Sequence, residues 1–118
     1  MKKLITQPKA DKLTKKDSEV AQYLLNMGFE QDEDSFREFR LLIDRNACEW
    51  GISAYVHAGV GFDYGTFDLS DDGHFTLDEE LGGGNNLKEC KEELLRIFNE
   101  NVSPIYTKKY LKLWNKNI

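Results

Sequence analysis

Two stretches of alternating apolar and polar residues constrain the fold of this 118-residue chain more than any other feature. The first covers residues 39–56 and is broken at Arg45-Asn46, and the second covers residues 67–77 and is broken at Asp72-Gly73. Strict alternation is typical of strands that bury one face, and an Asp-Gly pair between two such strands favours a tight hairpin. Although Phe36, Phe39 and Ile43 also fit helical spacing, the alternation predicts strands and a four-stranded antiparallel meander.

Helix start and stop signals lie on both sides of this predicted sheet. Thr14 opens a capping box and Gly28 provides a left-handed stop, which together predict an N-terminal helix. Asn86 opens a second helix, and Ser103-Pro104 gives a cap residue followed by proline for a third. The sequence therefore predicts an α+β domain with an N-terminal helix, four strands, and two C-terminal helices packed on one face of the sheet.

Three segments between these elements are predicted to be irregular. Residues 30–34 form a polar, acidic connector, and Gly82–Gly84 form a flexible linker. Glycines near Asp63 predict a turn or bulge in which Phe62 and Tyr64 are candidates for exposure. There they would form an aromatic anchor, rimmed by acid, for a basic partner; the alternative is that they fill the edge of the core.

Charge is distributed in three blocks beneath a net charge of −5. Residues 1–16 carry six lysines and one aspartate, residues 17–100 carry twenty acids and six bases, and residues 101–118 carry four lysines and no acid. Residues 1–13 are predicted to be a basic flexible arm, and residues 14–118 a single domain. The density of acid in residues 63–93 repels nucleic acid and attracts basic surfaces.

Composition and spacing exclude several classes of protein. No apolar run approaches the ~18 residues that span a bilayer, and the N-terminus lacks the apolar region of a signal peptide, so a cytoplasmic protein is expected. Cys48 and Cys90 have no zinc or redox spacing and are expected to be core thiols. His57 and His74 do not pair at ligand spacing, and no nucleophile motif accompanies them, so neither a metal site nor an enzyme is expected.

One short segment resembles a known metal-binding motif. Residues 68–79 resemble the calcium loop of EF-hand proteins, with Gly73 at the sharp turn. The resemblance implies a regulatory cation site as an alternative function, with these ligands: Asp68, Ser70, Asp72, Thr76 and Glu79. Because neither flank has a helical pattern, the hairpin interpretation of this segment is preferred.

The leading functional hypothesis is a small, acidic, non-enzymatic binding protein without a cofactor. It would inhibit a basic, nucleic-acid-handling protein by occupying that protein's DNA or RNA site, with no direct contact to nucleic acid or membrane. By size and charge this profile is similar to that of phage counter-defence inhibitors, such as anti-CRISPR and anti-restriction proteins, and of nuclease immunity proteins. The candidate partner-binding residues are Asp32, Glu33, Asp34, Asp63, Tyr64, Asp68, Asp71, Asp72, Asp78, Glu79 and Glu80.

Overall fold

A computed structural model describes residues 13–33, 35–44, 50–69, 75–102 and 104–116. The helices are α1 (Lys15–Asn26), α2 (Leu87–Asn101) and α3 (Pro104–Lys116). The strands are β1 (Glu30–Gln31), β2 (Glu38–Asp44), β3 (Trp50–His57), β4 (Gly61–Leu69) and β5 (Phe75–Gly84). They form one antiparallel sheet in the order β1-β2-β3-β4-β5, which confirms the predicted α+β meander.

Helix α1 begins and ends where its sequence signals predict. The Thr14 hydroxyl accepts the Asp17 N–H at 3.0 Å, and the Asp17 carboxylate accepts the Thr14 N–H at 3.4 Å, forming the capping box. At the other end Gly28 has φ +97°, and the Phe29 N–H donates to the Leu24 carbonyl at 3.0 Å. This Schellman-type ending returns the chain to the sheet with Phe29 fully buried.

The two predicted hairpins are confirmed by strand pairing, although their loops lie outside the described residues. In β2 and β3, Leu41 pairs with Ile52 and Phe39 with Ala54, so that both apolar sets lie on the same face. In β4 and β5 the pairing continues to Leu69 opposite Phe75. Cys48 and the turn at Arg45-Asn46 are not described.

The structure corrects three boundaries. The acidic connector contains a short strand, β1, so the sheet has five strands rather than four. The glycine-rich segment around Asp63 is not a turn, because β4 begins at Gly61, but the alternative prediction of a bulge agrees with the register shifts on both sides of Gly65. Gly82–Gly84 are not a linker but the end of β5, where a Cβ on Gly83 would lie 2.5 Å from the Phe62 carbonyl oxygen. Glycine is needed there because the backbones approach closely.

The core lies between the sheet and all three helices, which cover the same sheet face. From the sheet it receives residues such as Phe39, Ile52 and Val56, and from the helices Leu24, Leu94, Ile97, Phe98 and Tyr110. Helix α2 is fixed to the sheet by Arg96, whose guanidinium donates to the Leu81 carbonyl of β5 at 2.7 Å. None of the described helices is long and apolar enough to cross a membrane.

A buried ion pair joins α1 to the sheet. Arg37 donates to the Asp17 carboxylate at 3.2 Å and to the Val56 carbonyl at 3.1 Å. The same carboxylate accepts the Gly59 N–H at 3.1 and 3.2 Å, so it also holds the turn between β3 and β4. The side chains of Asp17 and Arg37 are only 2% and 6% exposed, so the pair is shielded from water.

Replacing Asp17 with asparagine tests this junction. The variant removes the carboxylate charge that faces the buried Arg37 guanidinium, and we expect a loss of about 3 kcal/mol in the free energy of unfolding, measured by urea denaturation. Glu19→Gln, an exposed change on the same helix, is the control and should stay within about 0.5 kcal/mol of wild type. If the two substitutions lower the free energy of unfolding equally, the contact with Arg37 adds no stability beyond the effect of one negative charge on α1.

The buried contact between Tyr64 and Cys90 predicts a pH dependence. Burial raises the pKa of the Cys90 thiol to about 12 despite its 3.1 Å contact with the Tyr64 hydroxyl, and burial raises the pKa of Tyr64 well above its usual value. In the unfolded chain the pKa of the thiol is about 8.5. Between these two values the unfolded state holds fewer protons, so the Cys90 contribution to stability is complete below about pH 8.5 and is lost as pH rises.

The measurement compares two variants in which Cys48 is serine, one with Cys90 and one with Cys90→Ala. We expect the free energy of unfolding to fall more steeply above pH 8.5 when Cys90 is present, by about 1 kcal/mol per pH unit. Parallel curves for the two variants would contradict the burial of this thiol.

Candidate functional site

The sheet face away from the helices is open and concave. It forms a cavity of about 720 Å³, and we call its polar lining the outer sheet face. The strands present this face because polar side chains alternate with the core residues along β2, β3 and β4. The outer sheet face consists of Glu38, Arg40, Ser53, Tyr55, His57, Asp63, Gly65, Thr66, Glu79 and Glu80.

Strand register arranges the centre of this face in two rows. The first row runs across β2, β3 and β4, with Tyr55 between Glu38 on one side and Asp63 on the other. The second row runs from Arg40 through Ser53 and Gly65 to Glu80 on β5. Because the middle of the second row has only a serine and a glycine, there is a depression beside the Tyr55 ring.

The Asp63 carboxylate and the His57 ring form a contact on the surface. His57 Nε2 lies at hydrogen-bond distance from Asp63 Oδ2, and the two side chains are 44% and 51% exposed. The Tyr55 ring packs against His57 with their centroids 4.8 Å apart and is itself 37% exposed. A ring and a carboxylate on neighbouring strands are therefore held side by side and remain accessible to solvent.

Arg40 is neutralised by contacts within the fold. Its guanidinium contacts the Asp32 carboxylate directly and reaches Glu38 at 3.4 Å. Asp32 also accepts the Ser35 N–H at 2.9 Å, which stabilises the turn between β1 and β2. The positive charge of Arg40 is thus offset locally, while the remaining acids of the face lie towards β4 and β5.

The face is acidic as a whole. Four carboxylates, those of Glu38, Asp63, Glu79 and Glu80, line a cavity that holds one guanidinium. Glu79 and Glu80 are exposed, and the Glu79 N–H is held by the Thr66 hydroxyl at 3.1 Å. Carboxylates on neighbouring strands of one concave face sum to a negative potential that favours cationic groups.

The predicted site residues fall into several groups. The cavity is lined by three of them, Asp63, Glu79 and Glu80. Asp32 instead accepts a hydrogen bond in the β1–β2 turn, and Glu33 in the same turn is exposed. Asp68 and Asp78 lie within β4 and β5. The predictions for Asp34, Asp71 and Asp72, and for Ser70 of the alternative calcium set, lie outside the described residues.

The predicted exposure of Tyr64 and Phe62 is wrong. Their side chains are 1% and 2% exposed and belong to the core, because alternation in β4 places them on the face opposite Asp63. The Tyr64 hydroxyl donates to the Cys90 carbonyl at 3.1 Å inside the protein. Tyr64 therefore cannot present its ring to a partner of the folded chain.

Five residues of the face, Glu38, Arg40, Ser53, Tyr55 and His57, were not among the predicted site residues. Each is a polar member of the alternation that identified β2 and β3, so the pattern already placed them away from the core. Their grouping depends on the register between two strands, β2 and β3, and this register is not contained in either pattern alone.

The flanks of the calcium-loop resemblance are strands. Residues 61–69 and 75–84 pair as β4 and β5, with Asp68 opposite Thr76. An EF-hand needs an exiting helix to present both oxygens of its last glutamate to the ion, and the corresponding Glu79 lies in a strand. Within the described ranges, no three histidine, cysteine or acidic residues cluster as metal ligands.

The chain was also compared with known proteins. No protein family model, curated protein or solved structure matches it.

Calcium titration tests the hairpin interpretation of residues 68–79. Because strands flank the loop, we expect no saturable change in amide chemical shifts of residues 68–79 at micromolar calcium, measured by heteronuclear NMR. Asp68→Ala is the matched variant and should give the same spectrum changes as wild type. Saturable shifts confined to these residues, and lost in Asp68→Ala, would establish the cation site instead.

Proposed function

We propose that this protein is a non-enzymatic binding protein whose outer sheet face docks on a basic, nucleic-acid-handling protein and blocks its functional site. The observation that carries the proposal is the concentration of four carboxylates around one open cavity on the sheet face that the helices leave uncovered. Basic clefts bind phosphates through lysine and arginine, and carboxylates placed on a rigid surface can occupy the same cationic groups.

The rigidity of the face supports this proposal. Its acids lie on paired strands rather than on connecting loops, and Gly65 and Glu80 are paired at the centre of the face. A surface that is already ordered before binding loses little conformational entropy when the partner arrives. Charged groups held in a fixed pattern also give partner selectivity, because a mismatched surface would place like charges together.

The local pairing of Arg40 also supports an acidic docking face. Arg40 is the single lysine or arginine in the cavity lining, and its contacts with Asp32 and Glu38 hold it against β1 and β2. The carboxylates of Asp63, Glu79 and Glu80 lie on the other side, on β4 and β5. The β4–β5 side of the face is therefore the part best suited to a basic partner.

Capture of the partner from lysate at two salt concentrations tests the proposal. Tagged protein in nuclease-treated lysate should retain a dominant basic, nucleic-acid-handling protein, identified by mass spectrometry. We expect capture to fall about tenfold when salt is raised from 0.1 to 0.5 M, because screening shortens the range of the steering field. The double variant Glu79→Lys/Glu80→Lys should lose capture at low salt.

The control is Glu19→Lys/Glu92→Lys, which makes the same change in net charge on the exposed surfaces of α1 and α2. Asp71→Lys/Asp72→Lys asks whether the partner also contacts the β4–β5 loop. If the helix control abolishes capture as fully as the sheet variant, total charge and not this face governs binding. No retained protein at either salt concentration would contradict the proposal.

A further inference from the structure

The row Glu38–Tyr55–Asp63 combines an accessible aromatic ring with a carboxylate on each neighbouring strand. Paired residues on adjacent antiparallel strands have Cβ atoms about 5 Å apart. A planar cation seated against the Tyr55 ring would therefore lie within reach of both carboxylates. The ring is 37% exposed, and its packing against His57 limits the positions that it can adopt.

The second row provides the path to this ring. Ser53 and Gly65 lie side by side between Arg40 and Glu80, and they leave a depression because their side chains are the smallest on the face. A long, unbranched side chain can lie along such a depression with its tip at Tyr55. The cavity volume of about 720 Å³ exceeds what one side chain requires, so the adjoining backbone of a partner also has room.

The chemistry of the row distinguishes between the two common cationic side chains. A guanidinium is planar, stacks on aromatic rings and donates from several N–H groups in a fixed fork, whereas an ammonium is a compact and strongly hydrated charge. Two carboxylates beside one ring, of which Glu38 also contacts Arg40 at 3.4 Å, can accept several N–H groups of a guanidinium at once. The arrangement therefore favours arginine over lysine.

We propose that the outer sheet face binds an arginine side chain of its partner, with the guanidinium stacked on Tyr55 between Glu38 and Asp63. This inference rests on the proposed docking function and names the group that the face recognises. His57 acts as a positioning residue, because its contact with Asp63 Oδ2 restricts the orientations that this carboxylate can adopt. Asp63 Oδ1 lies 2.8 Å from the place that a Cβ on Gly83 would occupy, so a side chain at position 83 would displace the carboxylate.

The experiment uses two synthetic probes of equal length and charge, octa-arginine and octa-lysine, with the full chain. Affinities are measured by isothermal titration calorimetry, and contacts by amide chemical shifts. We expect octa-arginine to bind at least about fivefold more tightly than octa-lysine, with the largest shifts at Tyr55, Asp63 and Gly65. Tyr55→Leu should lower the octa-arginine affinity about three- to fivefold and leave octa-lysine unchanged.

Tyr55→Phe is the conservative control, and it should retain the preference because the ring remains. If the leucine variant is misfolded, the Tyr55→Phe variant serves as the background for a second substitution, Asp63→Asn. This double variant should bind octa-arginine more weakly and octa-lysine unchanged. Equal affinities of wild type for the two peptides would overturn arginine recognition, as would failure of both peptides to bind. Neither result would contradict the docking function, which is tested separately by capture of the partner from lysate and by the lysine substitutions at Glu79 and Glu80.

Discussion

The buried pair of Asp17 and Arg37 is the contact through which the helical layer and the sheet are held in one arrangement. Its carboxylate closes the first turn of α1, receives the guanidinium that precedes β2, and holds the N–H of Gly59 in the β3–β4 turn. Removing two charges from water is costly, so such a pair is weak evidence for net stability. Its effect here is geometric, because three segments distant in sequence must meet at one carboxylate.

The pair fixes α1 beside the β3–β4 turn, on the sheet face that carries the apolar residues of the alternating strands. All three helices pack on that face, and the polar residues of β2 and β3 remain on the other. An uncovered antiparallel face is stable when its residues are polar. The outer sheet face is therefore a consequence of the packing, and its concave shape comes from small residues such as Ser53 and Gly65.

Much of this architecture could be predicted from local signals. The capping box at Thr14, the stop at Gly28 and the period-two alternation are each contained within a few residues, and each was confirmed. The incorrect predictions concern glycines, which occur both in turns and in strands whose backbones approach closely. Gly61 and Gly82–Gly84 resemble turn and linker residues, but they lie within paired strands where close backbone approach excludes a side chain.

The candidate site was predicted only in part for a similar reason. Charge density identified Asp63, Glu79 and Glu80, but their association with Glu38 and Tyr55 depends on register across four strands. The glycine-rich segment beside Asp63 makes Tyr64 a candidate for the surface, although alternation places it on the face opposite Asp63, where it is buried. A one-residue difference in parity moves a side chain from solvent to the core, so composition alone cannot locate a site on a sheet.

The acids of the outer sheet face also lower the stability of the isolated protein. Carboxylates on one sheet face repel each other, and at Glu38 this repulsion is reduced by the contact with Arg40. A cation bound between these carboxylates would reduce it further, since it interacts with the folded face and not with the unfolded chain. Binding and stability are then linked, so that a face carrying unbalanced charge is less stable alone and gains stability when it is occupied.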